Sequence, residues 1–216
     1  MPQDAQPQND RSSSGSTASL IASLRALVPG WDMAPAQVEK YAEYQAVTLV
    51  RMAGVTAPPV PTFIVETIPT VTVEVAAELP VHGSLFWLVD HWVISVAAED
   101  PPARQRHTIF HEFKHILDHP TYEGVYGRPE GGVDESWAEA IADHFSLCVL
   151  APEAWVRDAW HAGLQDAASL SRHFEVTENA MRLRLWRLGY TGCGPTCGRR
   201  LPAIYADTSQ SKGNRP

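Results

Sequence analysis

His111-Glu112-Phe113-Lys114-His115 is the stretch from which the rest of the chain can be read. It has the form H-E-x-x-H. On a helix, residues four apart stand about one turn from each other on the same face. His111 and His115 can then aim two imidazoles at one metal ion, with Glu112 beside them to act on water. This is the smallest arrangement that supports zinc-assisted hydrolysis of an amide bond. A helix over Ala103 to Leu117 is expected to carry it.

Two histidines leave a catalytic zinc site one protein ligand short. A histidine six residues after His115 would supply it in one known arrangement, but that position is Thr121. His119 lies one further turn along the same helix. At about 1.5 Å rise per residue it stands about 12 Å from His111, too far to converge, and it suits the helix C-terminus better. Carboxylates on the next helix remain: Asp134, Glu135, Glu139 and Asp143. Glu139 and Asp143 are four apart and share a face. That pairing lets Glu139 bind the metal while Asp143 accepts a hydrogen bond from a ligand histidine and fixes its tautomer. Glu135, one turn before Glu139, competes with it. Acidic residues early in a helix also complement its dipole without any metal.

Outward from the motif, the chain divides into helices, a small sheet and more helices. Leu20, Ile21, Leu24 and Leu27 recur at helical spacing ahead of Pro29-Gly30. A second helix is expected over Pro35 to Met52, with Val38, Tyr41, Tyr44, Gln45, Thr48 and Leu49 on one face. After the proline-rich Ala57 to Pro61, four strands are expected: Thr62–Glu66, Thr70–Ala76, Ser84–Val89 and Trp92–Ala97, the last two joined at Asp90-His91. From Pro101 the reading is helical: the motif helix, a glycine-rich loop, a helix from Asp134 or Glu135 to Leu150, one from Pro152 through Trp160, then Asp166–His173 and Glu178–Leu188. The expected fold is α+β: a helical metallopeptidase core with a small, mainly antiparallel sheet and C-terminal helices. Residues 1–16 are expected as a disordered tail, 17–191 as a single domain with a helix-turn-helix-like part over 166–190, and 192–216 as a flexible tail.

Composition narrows the class. The chain has 216 residues, 44% of them hydrophobic, with 25 acidic and 17 basic residues for a net charge of −8. Such a balance disfavours a broad nucleic-acid-binding face. Met1 to Gln6 has neither a basic nor an apolar signal region, and no run is long enough to span a bilayer, so a cytoplasmic protein without membrane contact is expected. Three cysteines are too few for a disulfide framework. Cys193 and Cys197 lack a second pair and read as free thiols in a loop; Cys148 reads as core.

Linked motifs resemble a known family. Arg104 to Phe110 leads into His111-Glu112-Phe113-Lys114-His115; Glu139-Ala140-Ile141-Ala142-Asp143-His144-Phe145-Ser146 follows, then Leu150-Ala151-Pro152. This resembles the ImmA/IrrE metallopeptidases across about residues 35–190. The resemblance implies His111, His115 and Glu139 as Zn2+ ligands and Glu112 as general base and proton shuttle. Asp143 matches the family's Asn/Asp position. Lys114 departs from a commoner small residue, and Ser146 and Ala151 replace the usual Ala and Met. The implied activity is hydrolysis of a peptide bond in a protein substrate, typically a helix-turn-helix transcriptional repressor, in stress or mobile-element regulation. The transition state needs a hydrogen-bond donor besides the metal; Tyr122, Tyr126 and His144 are the candidates.

Two other readings compete. Residues 166–188 could bind DNA through Arg182, Arg184 and Arg187, or simply pack on the core through Met181, Leu183, Leu185 and Leu188. Alternatively the protein acts as a non-proteolytic antirepressor that sequesters its partner, with a structural or vestigial metal site.

Overall fold

Apolar periodicity decides where the first helices lie. The computed structural model describes residues 14–29, 33–127 and 131–192. Helix α1 spans Ser14–Arg25 and α2 spans Pro35–Met52. Residues 14–16, expected in the N-terminal tail, therefore belong to α1. Residues 1–13 and 193–216, with Cys193 and Cys197, lie outside the described residues. Pro35 opens α2, where a missing N–H costs nothing, and the Gln37 side chain accepts from the Ala34 N–H at 2.9 Å. The buried stripe of α2 runs through Val38, Ala42, Gln45, Ala46, Leu49 and Val50. Tyr44, expected on that face, is half exposed. Small alanines take its place where α2 packs on α6, the helix Glu135–Leu150.

Thr62–Glu66 is not a strand: Phe63–Glu66 forms a short helix, α3. Ile64 and Val65 are both buried while Phe63 is exposed, a pattern no alternating strand can produce. A three-residue apolar run is too short for periodicity to choose between helix and strand.

The sheet comprises β1 (Val71–Ala76), β2 (Gly83–Leu88) and β3 (His91–Ala97), in the order β1-β3-β2. It is mixed: β2 pairs antiparallel with β3, and β1 pairs parallel with β3. The hairpin turn is Val89-Asp90, one residue earlier than expected, with His91 opposite Leu88. Val89 sits at φ 55°, a left-handed conformation that a β-branched residue rarely adopts, so its sequence points away from a turn. Ile94 and Val96 bury the inner face of β3 against α4, the motif helix Pro102–Asp118.

Helix α4 is the centre of the molecule. It packs against β2 and β3 on one side and α6 on the other. Phe110, Phe113, Ile116 and Leu117 are buried, each worth about 1.5–3 kcal/mol. That apolar face fixes the helix rotation and turns the opposite face to a cleft. Arg25 of α1 donates to the Ile116 and Leu117 carbonyls at 2.7 and 3.2 Å, satisfying acceptors that the end of α4 leaves open. A 3-10 turn, His119–Thr121, leads to α5 (Tyr122–Tyr126); beyond α6 come α7 (Glu153–His161), α8 (Ala167–Phe174) and α9 (Glu178–Arg187). The architecture is thus α+β, with helices around a small sheet and a helical C-terminal part. Among the described residues no helix is long and apolar enough to cross a membrane.

Candidate metal centre

The cleft face of α4 presents His111, Glu112 and His115, and α6 brings Glu139 across from them. Asp134 caps α6, its side chain accepting from the Trp137 N–H at 3.0 Å. The capped helix then places Glu139 one turn inside, with Asp143 a turn further on. The Nε2 atoms of His111 and His115 lie 3.1 Å apart. Glu139 Oε2 is 3.1 Å from His111 Nε2, and Glu139 Oε1 is 3.3 Å from His115 Nε2. One ligand atom from each of the three residues falls within 4.8 Å of the others.

Asp143 Oδ1 stands 2.9 Å from His111 Nδ1. If that nitrogen carries the ring proton, the Nε2 lone pair is left facing the cleft. Burial pulls the His111 pKa down, but the hydrogen bonds to Asp143 and Glu139 outweigh it and raise it to about 10. The same bonds, from His111 and His115, hold Glu139 well below the usual carboxylate range. Three carboxylates, Glu112, Glu139 and Asp143, thus stand beside the two imidazoles, a donor set suited to a cation. Zinc bonds of about 2.0–2.1 Å in a tetrahedron put neighbouring ligand atoms about 3.3 Å apart. The 3.1 Å separation of the two imidazole nitrogens fits that edge, and a Glu139 oxygen lies beside each of them, so these three residues could hold a divalent metal.

Glu135 is exposed in the first turn of α6 and does not belong to the cluster. His119 caps the C-terminal end of α4, and its ring meets Trp92 edge-on at 5.0 Å. Glu112 projects into the cleft, where burial raises its pKa. Gly83 explains how the strand comes so close. A Cβ there would lie 2.2 Å from Thr108 Cγ2 and 2.9 Å from Glu112 Oε1. Only glycine lets β2 close over the motif helix, and nothing in the local sequence around His82-Gly83 signals that contact.

Beside the three residues opens a cavity of about 810 Å3, walled by Leu85, Trp92 and Tyr122. A second, of about 430 Å3, reaches the other way to His107, Asn179 and Leu183. Helix α9 thus contributes a wall of the cleft. Two of its arginines are turned inward: Arg184 is buried and donates to the Ala151 carbonyl at 2.9 Å, and Arg187 contacts His144, while Arg182 is exposed and pairs with Glu178 on the same helix. Met181 and Leu185 are buried, as core packing requires.

A second group, Glu43, His144 and Cys148, also brings ligand atoms together. His144 Nε2 lies 3.1 Å from Glu43, while Arg187 faces Nδ1. An arginine can only donate, so Nδ1 accepts and the ring proton sits on Nε2, directed at Glu43. Metal at Nε2 would displace that proton beside a fixed positive charge. The group reads as a polar bridge between α2, α6 and α9.

No curated protein sequence matches the chain. Among solved structures, a Mycobacterium tuberculosis transcriptional regulator superposes with a TM-score of 0.53 at 15% identity, over 77% of this chain and 51% of that one. That likeness is one of fold, and this chain spans about half the length of its counterpart. The family described as Peptidase_M78, IrrE N-terminal-like domain, matches residues 71–185, a stretch that runs from β1 through the sheet, α4 and α6 into α9. The chain belongs to this IrrE N-terminal-like family.

Proposed function

We propose that the protein is a zinc-dependent endopeptidase that cuts a peptide bond in a protein substrate, and that the substrate is a helix-turn-helix transcriptional repressor. The convergence of His111, His115 and Glu139 on one point, with Glu112 beside them, carries the reading. The repressor substrate rests on the family resemblance. In this reading residues 17–191 act as one domain.

His111, His115 and Glu139 would hold the ion. When bound, zinc supplies a Lewis acid that acidifies water and polarises a carbonyl. Asp143 orients His111 through Nδ1. Glu112 takes a proton from the attacking water and passes it to the departing amine. Strand β2 offers the substrate an edge. Ala97 N–H donates to His82 O, and antiparallel alternation then turns the N–H and C=O of Gly83, Leu85 and Trp87 away from β3. An extended peptide pairing with that edge passes over Glu112.

Glu112→Gln tests the role. Labelling of new protein N-termini in cells expressing wild type is expected to reveal cleavage that the variant, still holding zinc, does not produce. Equal cleavage by the variant refutes Glu112 as the base; no new termini with wild type refutes the peptidase reading.

A further inference from the structure

The wall of the cleft contains a tyrosine that the machinery above does not use. Tyr122 opens α5 and lines the same cavity as His111, Glu112, His115 and Glu139. Among the three donors the sequence offers, the structure leaves this one free for substrate. Tyr126 is buried and its hydroxyl donates to Asp118 Oδ2 at 2.5 Å. His144 is buried on the far side of α6, engaged by Glu43 and Arg187. No residue among those described engages the Tyr122 hydroxyl.

Its ring is nevertheless fixed. Tyr122 packs on Tyr126 with centroids 5.1 Å apart. Tyr126 is pinned by Asp118, which also accepts from the buried Lys114 ammonium. Asp118, held in place by Lys114, the unusual residue inside the motif, therefore ties α4 to the wall that carries Tyr122. A phenol also keeps its proton at neutral pH, so it stays a donor.

We propose that Tyr122 is a further catalytic residue of this cleft, donating a hydrogen bond to the scissile carbonyl oxygen as that oxygen gains negative charge. The proton remains on the phenol throughout. The inference rests on the peptidase reading and adds the group that stabilises its transition state.

The test is calorimetric titration of the full chain, loaded with zinc, with a phosphinic pseudopeptide flanked by apolar side chains. Its tetrahedral anionic centre imitates the charged state. Tyr122→Phe is expected to bind it about tenfold or more weakly than wild type, as loss of a hydrogen bond to a charged group predicts. Zinc content and melting temperature should not change. Equal affinity in the two proteins overturns the role of Tyr122 and leaves the peptidase reading standing. A zinc-loaded wild type that does not bind the phosphinate overturns both.

Discussion

Asp143 decides which nitrogen of His111 meets the cleft. Its carboxylate faces Nδ1 at 2.9 Å, so the atom left to the cleft is Nε2. Asp143→Ala removes that constraint and is expected to weaken zinc binding about 10- to 100-fold. Competition against a chelator measures it, and unchanged affinity would show that the orientation is set elsewhere. Gly83 acts at the same scale by having no side chain. Gly83→Ala drives a methyl into Thr108 Cγ2 and Glu112 Oε1 and should destabilise the fold by about 1–3 kcal/mol. Thr108→Ser deletes the nearer of the two atoms, so the double variant should recover part of the loss in urea unfolding. A Gly83→Ala protein as stable as wild type would mean that β2 can lift off the helix freely.

At the scale of elements, α4 has two faces with different tasks. Its back carries Lys114 and Asp118, both buried, in an ion pair completed by Tyr126. Asp118→Ala strands a buried ammonium and is expected to cost about 3–5 kcal/mol. A loss under 1 kcal/mol in denaturant unfolding would contradict the buried pairing. A second bridge joins α2 to α6 and α9. The hydrogen bond from His144 lowers the Glu43 pKa, against opposing burial, and the positive charges of Arg184 and Arg187 add to it. A carboxylate lowered in the folded state stabilises above its unfolded pKa, about 4.3, and loses that contribution as pH falls through the folded value. Wild type should therefore be more stable than Glu43→Gln at pH 6, with the difference fading below about pH 4. A difference that grew on acidification would reverse the assignment. Helices α4 and α6 were legible because long amphipathic periodicity and a capping Asp134 agree. Thr62–Glu66 was not, since its three apolar residues, Phe63 to Val65, fit either state. The turn at Val89 was not, because its backbone conformation opposes its own side chain.

Over the whole molecule, what could be read in advance followed sequence distance. His111, Glu112 and His115 lie within one helical turn, so spacing alone placed them together. Glu139, 28 residues from His111, needed the resemblance to separate it from Glu135, and the geometry brings Glu139 to the histidines. The close approach at Gly83 and the place of Tyr122 in the cleft wall depend on contacts between distant segments that no local pattern encodes. The same holds for Arg184 and Arg187 of α9, which look like part of a basic face in sequence but are turned to Ala151 and His144, leaving Arg182 paired with Glu178 on the surface. With that engagement and a net charge of −8, no salt-dependent binding to duplex DNA is expected. Fluorescence anisotropy at low salt checks it, and tight binding that weakens steeply with salt would restore the DNA-reading alternative. The central claim is that His111, His115 and Glu139 form a metal site, and elemental analysis of protein purified without a metal-affinity tag tests it most directly. About one zinc per chain, lost in His111→Ala, is the predicted result; no metal in wild type after equilibration with zinc would contradict it.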